Sequence, residues 1–89
     1  MQRVIKRDGR EVEFDKSKII KSIDKSFAAL GQTDENGIAE KIADSIEAMD
    51  KVLDVDEIQN LIEAKLMASK HKDVAKAYIN YRYLHKMAR

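Results

Sequence analysis

The amino-acid sequence predicts an α+β fold that is mostly helical, in which an N-terminal β-hairpin lies over a four-helix bundle. Three observations support this prediction. The chain has no proline and only three glycines, so little interrupts a helical pattern. Apolar residues recur at helical spacing in four successive segments. A short segment around an Asp-Gly pair precedes them and is typical of a hairpin.

The hairpin is expected over residues 4–14, VIKRDGREVEF, with the Asp-Gly pair as a two-residue turn. In this register one face, expected to pack on the helices, carries Ile5, Val12 and Phe14. The predicted cross-strand pairs are Ile5–Val12, Lys6–Glu11 and Arg7–Arg10. Like charges directly across a hairpin are destabilising by up to about 1 kcal/mol. The last of these pairs therefore calls for a neutralising group.

The first two helices follow from caps and apolar spacing. Asp15 is expected to be the N-cap of a helix that ends near Leu30, with Gly31 as the stop signal. A second helix is expected over residues 36–50. The apolar positions of these two helices are Ile19, Ile20, Ile23, Phe27 and Leu30 in the first, and Ile38, Ile42, Ile46 and Met49 in the second.

The third and fourth helices are separated by a break in the pattern near residue 70. Asp54 as N-cap and Glu57 three residues later predict a capping box at the start of the third helix. The segment KVLDV before it is expected to be a connection. The fourth helix is expected over residues 72–87.

Composition limits the kind of partner. Lys and Arg number 17 against 16 Asp and Glu, with a formal net charge of +1. Acidic residues concentrate between positions 34 and 63, whereas residues 1–25 and 65–89 are rich in Lys and Arg. A protein that neutralises many phosphates of a nucleic acid usually has a strongly basic surface. Nucleic acid is therefore an unexpected partner, while a small local anion site is compatible with this balance.

Other function classes lack their sequence signals. The chain has no cysteine and two isolated histidines, so no protein metal site is expected. Neither a secretory signal nor an apolar run of about 20 residues is present, which favours a cytoplasmic protein without a membrane span. Phosphate-binding loops of the GxGxxG and GxxxxGK[ST] types and recognisable catalytic constellations are also absent. We therefore expect a binding module rather than an enzyme.

Cations near the start of the first helix indicate where an anion would bind. Lys16 and Lys18 lie in its first turn, where a positive charge opposes the helix dipole by roughly 0.3–1 kcal/mol. Lys18 together with Lys6, Arg7 and Arg10 would suit a compact polyanion such as a polyphosphate. The alternative is that the lysines extend into water and that Lys6 forms a surface ion pair with Glu11.

Three segments resemble one known family. They are VIKRDGREVEFDKSKI, LDVDEIQNLIEAKL and VAKAYINYRYLHKMAR. The chain resembles the ATP-cone, the nucleotide-binding regulatory domain at the amino terminus of many ribonucleotide reductases. This resemblance implies a small β-sheet over four helices, with ATP or dATP and its Mg²⁺ bound between them. A chain of this kind is either a free-standing cone or the N-terminal part of a larger reductase, for which the anaerobic glycyl-radical type is the preferred parent.

The resemblance also implies roles for individual residues. Lys6 and Arg7 would hold phosphates, Lys18 and Ile19 would line the pocket at the start of the first helix, and Arg82 would approach from the last helix. Val55 stands where the family often has a threonine near the phosphates, so its backbone N–H rather than a hydroxyl would be available. The adenine would be bounded by Val4, Phe14 and Ile58, with polar contacts from Asp15 and Gln59.

Partners follow from the same resemblance. In the family, ATP promotes and dATP suppresses the activity of an attached catalytic domain by changing how domains assemble. The expected partners are therefore an adenine nucleotide and either a reductase catalytic domain or another ATP-cone. An alternative interpretation is a helical protein- or nucleic-acid-interaction module that uses the basic last helix, including transcriptional regulation by an ATP-cone repressor. The lack of a Cys-rich zinc ribbon argues against a complete repressor.

Overall fold

A small sheet and four helices make up the fold, which confirms the predicted class. The computed structural model describes residues 2–87, and their side chains as far as residue 84. The elements in chain order are β1 (Arg3–Ile5), β2 (Glu11–Glu13), α1 (Lys16–Ala29), α2 (Ile38–Glu47), β3 (Leu53–Asp54), α3 (Val55–Ala68) and α4 (Lys72–Met87). The strand order in the sheet is β2–β1–β3, with β1 antiparallel to β2 and parallel to β3.

The register of the hairpin differs by one residue from the prediction. The observed cross-strand pairs are Arg3–Glu13, Val4–Val12 and Ile5–Glu11. The Lys6 N–H donates to the carbonyl oxygen of Arg10 at 2.8 Å, and the Gly9 N–H donates to that of Lys6 at 2.9 Å. These bonds enclose a three-residue loop instead of a two-residue turn. Gly9 closes it with a φ of 89°, a conformation that glycine adopts without steric penalty.

The predicted opposition of Arg7 and Arg10 is therefore wrong. Both residues belong to the loop region and do not form a cross-strand pair. Arg10 Nε donates to Asp8 Oδ2 at 2.7 Å. Arg7 instead extends to Asp56 at the start of α3, 3.3 Å away. Each guanidinium has a carboxylate partner within the protein, so the hairpin contains no like-charge repulsion that a ligand must neutralise.

The same shift exchanges the two faces of the hairpin, because side chains alternate along a strand. Val4 and Val12 now lie opposite each other, and Val4 and Phe14 pack against the helical core. Ile5, which was predicted to share this face, pairs with Glu11 on the other one. The face toward the helices thus carries Val4, Val12 and Phe14.

The segment before α3, predicted as a connection, contains β3. This strand consists of Leu53 and Asp54, which pair in parallel with Val4 and Ile5 of β1. Leu53 is buried at the centre of the core. A strand of two residues is too short to show an alternating pattern, which explains why the sequence did not reveal it.

Helix boundaries agree with the predicted caps except in α2. Asp15 caps α1, and Asp54 with Glu57 forms the expected capping box of α3. The second helix covers residues 38–47 instead of 36–50. The reason is that Gly37 adopts a left-handed conformation, while the carboxylate of Asp34 accepts the first helical N–H groups, at 2.8 Å each.

One hydrophobic core connects all of these elements. Helix α1 packs against α2 and α4, and α3 packs against α4 and α2. Large, fully buried side chains come from every helix and from β3: Ile23, Ile46, Leu53, Ile62, Leu66, Val74 and Tyr78. Within residues 2–87, no helix is both long and apolar enough to cross a membrane.

The end of α3 contains a strained residue. Lys70 has a φ of 68°, which is unfavourable for any residue with a Cβ atom. Its N–H donates to the Met67 carbonyl, and the His71 N–H donates to that of Leu66. This is the Schellman arrangement, in which glycine usually occupies the left-handed position.

We expect Lys70→Gly to raise the free energy of unfolding by about 1 kcal/mol, because glycine removes the steric penalty of the left-handed conformation. The matched control is Ala64→Gly, at an exposed position within the same helix. That substitution should lower the free energy by about 1 kcal/mol. Urea denaturation of the three proteins measures both changes, and a loss of stability in Lys70→Gly would contradict the strain.

Candidate functional site

A cavity of about 300 Å³ lies between the hairpin and the helices. This volume is at the lower end of the range for small-molecule sites. Strands β1 and β2 form one side of the cavity, and helices α1, α3 and α4 form the other. The site is therefore built where the face of the hairpin that carries Val4 and Val12 meets the helix bundle.

The structure brings most of the predicted site residues together around this cavity. Arg82 is the exception, because it does not belong to the lining. The ten predicted residues that line it are Val4, Lys6, Arg7, Phe14, Asp15, Lys18, Ile19, Val55, Ile58 and Gln59. Their proximity is a finding of the structure, whereas their contacts with a nucleotide remain predictions.

Sequence reasoning missed six further lining residues. They are Val12, Glu13, Ser22, Ile62, Tyr78 and Tyr81. Helical spacing could have found two of them, since Ser22 lies four residues after Lys18 and Ile62 lies four residues after Ile58. The tyrosines carry no such signal, because a core tyrosine and a cavity tyrosine have the same spacing.

The floor of the cavity is apolar and partly aromatic. Ile19 and Ile58 are 6% and 8% exposed, respectively. The rings of Tyr78 and Tyr81 stack with their centroids 6.1 Å apart and an angle of 29° between the planes. Burial raises the pKa of Tyr78, although a hydrogen bond with Ser22 acts in the opposite direction. Its hydroxyl group thus stays protonated, as a neutral donor, near neutral pH.

The rim of the cavity has three cations, of which two lack a carboxylate partner. Lys6 and Arg7 lie in the loop after β1, and Lys18 lies in the first turn of α1. Among the side chains of residues 2–84, neither Lys6 nor Lys18 takes part in an ion pair. The acidic residues Glu13 and Asp15 also belong to the lining, so the residues around the cavity are of mixed charge.

Asp15 has a structural role at the start of α1. Its Oδ1 accepts hydrogen bonds from the Ser17 hydroxyl at 2.6 Å and the Ser17 N–H at 3.0 Å. These bonds hold the pKa of Asp15 below its usual value. The carboxylate is therefore ionised near neutral pH, and Oδ2 takes no part in this cap.

The capping box of α3 fixes the opposite wall. Asp54 Oδ1 accepts from the Glu57 N–H at 2.8 Å, and Glu57 Oε1 accepts from the Asp54 N–H at 3.1 Å. The first turn that they hold carries Val55 and Ile58 into the lining. Since the first N–H groups of a helix lack partners within it, this wall also presents the positive end of the α3 dipole.

Arg7 crosses from the hairpin to α3. Its Nη2 donates to Asp56 Oδ1 at 3.3 Å and to Gln59 Oε1 at 3.2 Å. Partial burial raises the pKa of Asp56. The hydrogen bonds and charges of Arg7 and Arg82 together lower it by more, so the pKa lies below its usual value. The guanidinium of Arg7 at the rim therefore already has an ionised carboxylate, that of Asp56, as its partner.

Arg82 lies behind this contact and binds three side chains of α3. Its Nη1 donates to Asn60 Oδ1 and to Glu63 Oε1, at 2.8 Å each. Its Nη2 reaches Asp56 Oδ1 at 3.5 Å. Asp56 thus connects Arg7 of the hairpin with Arg82 of α4.

A metal site built from protein side chains is not found among the described residues, where no three His, Cys, Asp or Glu side chains come together. The oxygen atoms at the cavity belong to isolated carboxylates, amides and hydroxyls.

Comparisons with known proteins agree with this architecture. The chain matches the ATP cone domain family over residues 2–87. It is 39% identical to the anaerobic ribonucleoside-triphosphate reductase of Haemophilus influenzae, over 97% of this chain and 13% of that protein. It is 40% identical to the vitamin B12-dependent ribonucleoside-diphosphate reductase of Thermoplasma acidophilum, over 92% of this chain and 12% of that protein. The chain thus spans about an eighth of the length of these relatives.

The fold and the site define a small domain in which a sheet covers a helical bundle and an apolar cavity with cations at its rim lies between them. The chain belongs to the ATP cone family, a family of nucleotide-binding regulatory domains. The comparisons give no support to the alternative interpretation as a helical protein- or nucleic-acid-interaction module.

Two ion pairs of the same 2.8 Å length should differ in their contribution to stability. Arg82 and Glu63 are 20% and 25% exposed, and Arg82 has further partners. We expect Arg82→Gln to lower the free energy of unfolding by roughly 1–2 kcal/mol, since it leaves partly buried acceptors without a charged donor. Thermal and urea unfolding measure the change.

The matched control is Lys16→Gln, which breaks a pair with Asp44 of the same 2.8 Å length but with 37% and 52% exposure. An exposed pair contributes about 0–1 kcal/mol. Equal losses in the two variants would contradict a structural role for the Arg82 network.

Proposed function

We propose that the cavity binds ATP or dATP and that this binding regulates the catalytic domain of a ribonucleotide reductase. The observation that supports it best is the combination, in one cavity, of an apolar floor with an arginine and two lysines that form no ion pair among the described side chains. A nucleotide needs both an apolar surface for its base and cations for its phosphates. Membership of the ATP cone family supports the adenine nucleotide.

In this proposal the adenine lies on the apolar floor. Val4 and Phe14 of the hairpin contact one side of the ring, and Ile19 and Ile58 contact the other. Gln59 has an amide group, which carries a hydrogen-bond donor and an acceptor as the edge of a base does. Its Oε1 already accepts from Arg7, so its amide N–H group is the available donor.

The phosphates extend toward the rim. Lys6 and Lys18 act as point charges, whereas the Arg7 guanidinium can donate two parallel hydrogen bonds to phosphate oxygens. The first turn of α3, which begins at Val55, adds backbone N–H groups at the positive end of its dipole. A backbone contact of this kind needs no hydroxyl, so valine at position 55 is compatible with the site.

A Mg²⁺ ion would be bound mainly by the nucleotide. Magnesium usually keeps several waters and binds phosphate oxygens with only one or two carboxylates. We therefore assign the contacts of the ion to the phosphates and to water, and not to a side chain of this domain.

Regulation requires that the two nucleotides favour different states of the whole protein. Equal affinity for both states would leave their populations unchanged. We propose that the partner is the catalytic domain of a cytoplasmic reductase, of the anaerobic type, or another ATP cone. The Haemophilus influenzae relative is a reductase of this anaerobic type.

ATP should stabilise the domain by mass action. At a free concentration 100 times the Kd, the free energy of unfolding should rise by about 2.7 kcal/mol. The double variant Lys6→Ala/Arg7→Ala should lose this gain, because it removes two of the three cations at the rim. Thermal unfolding with and without ATP measures the effect.

The matched control is Arg10→Ala/Lys16→Ala. It removes the same charge from the same part of the chain, but neither residue lines the cavity. It should keep the ATP effect. An unchanged ATP effect in Lys6→Ala/Arg7→Ala would place the phosphates elsewhere.

Base selectivity tests the apolar floor. GTP should bind at least about tenfold more weakly than ATP, because a pocket shaped for one base edge leaves polar groups of the other unpaired, at roughly 1–3 kcal/mol. Calorimetric titration measures both affinities, with inorganic tripolyphosphate as the reference for the phosphates alone. Equal affinities for ATP, GTP and tripolyphosphate would leave a phosphate site without a base pocket.

A further inference from the structure

Asp56 occupies an unusual position next to the proposed phosphate site. It is the second residue of α3, and its side chain is 53% exposed. Its Oδ1 lies 3.3 Å from Arg7 Nη2 and 3.5 Å from Arg82 Nη2. A carboxylate at the N-terminus of a helix, bound to an arginine, presents the same chemistry as a bound phosphate oxygen.

The contact creates competition for Arg7. The Nη2 atom of Arg7 donates to both Asp56 and Gln59. Either fork of a guanidinium includes one N–H of Nη2, so a phosphate that binds through a fork must replace one of these two acceptors. The structure therefore shows Arg7 Nη2 engaged within the protein, so that a forked contact with a phosphate requires an exchange of partners.

We infer that Asp56 is an internal competitor of the nucleotide: it holds Arg7 while the cavity is empty and is displaced by a phosphate group. This inference rests on the proposed function, because it assumes that a nucleotide phosphate reaches Arg7. It assigns to Asp56 the role of lowering nucleotide affinity, which is opposite to the role of a ligand-binding residue.

The exchange is inexpensive because Asp56 does not lose both of its partners. When Arg7 turns to the phosphate, Asp56 stays beside Arg82, which is itself fixed by Glu63 and Asn60. An exposed ion pair changes an equilibrium constant by no more than about fivefold. Asp56 thus adjusts the affinity without preventing binding.

The exchange also changes how the hairpin is connected. In the empty protein, the chain of contacts Arg7–Asp56–Arg82 links the loop between β1 and β2 to α4. Displacement of Asp56 from Arg7 opens this link at one point. The exposed apolar side chains of Ile79 and Tyr83 lie on the same helix as Arg82. A change at Arg7 can therefore reach a helix that does not touch the phosphates.

Nucleotide titration of Asp56→Asn tests the inference. The substitution preserves the shape of the side chain and removes its charge. We expect the Kd for ATP to fall about three- to fivefold at low ionic strength, and less at high salt because the competing pair is exposed. Asp56→Ala should lower it at least as much. Circular dichroism verifies that the variants remain folded.

Asp44→Asn is the matched control. Asp44 is 52% exposed and pairs with Lys16 at 2.8 Å, on the outside of the bundle and away from the cavity lining. It removes the same charge, and the Kd for ATP should stay within about twofold of the original value. If the Kd of Asp44→Asn fell as much as that of Asp56→Asn, the change in net charge alone would explain both results, and the inference would be overturned.

A double-mutant cycle isolates the competition. In an Arg7→Ala background, Asp56→Asn should leave the Kd for ATP unchanged, since there is no guanidinium to release. Chemical-shift titration of the amide resonances follows the weaker binding of these variants. A tightening that persists without Arg7, or an Asp56→Asn protein that binds ATP as well as or more weakly than the original, would overturn the inference. If the unsubstituted protein did not bind ATP, the proposed function itself would be overturned.

Discussion

The parallel pairing of β1 with the two residues of β3 determines where every other part of the site lies. A hairpin of two short strands is barely stable by itself in water. Pairing Val4 with Leu53 and Ile5 with Asp54 attaches it to the core, because Leu53 is buried. This pairing fixes the position of the hairpin relative to the first residues of α3.

Asp54 joins the sheet to the helix. It pairs with the last residue of β1 and is also the N-cap of α3. Lys6 and Arg7 directly follow Ile5 and consequently lie beside the first turn of α3. The cations of the loop and the positive end of the helix dipole are therefore brought to one place by backbone geometry, before any ligand contributes.

The local features of the fold could be predicted from the sequence, because their causes are local. The caps at Asp15 and Asp54 depend on side chains that bond within three residues. Apolar spacing likewise identified the helices that carry Ile19 and Ile58. The family resemblance added what spacing could not, namely that residues of the hairpin, α1 and α3 would meet at one cavity.

The remaining differences have causes that the sequence pattern does not carry. An Asp-Gly pair suits a two-residue turn and also the end of a three-residue loop, and only the bond from Lys6 to Arg10 distinguishes the two. One residue of shift was enough to misplace Ile5 and to pair Arg7 with Arg10. Tertiary contacts such as Arg7 with Asp56 join residues 49 positions apart and leave no local signal.

Arg82 lies outside the cavity lining but is connected to its rim. The resemblance implied an approach to the nucleotide, whereas its hydrogen bonds go to α3, and its path to the rim passes through Asp56. Asp56 has too little charge to satisfy two guanidinium groups fully, and both distances, 3.3 and 3.5 Å, are long for charge-assisted bonds. A shared carboxylate of this kind favours neither arginine strongly. The connection between hairpin and α4 is thus sensitive to any anion that arrives at Arg7, which is the property that a regulatory domain needs at its ligand site.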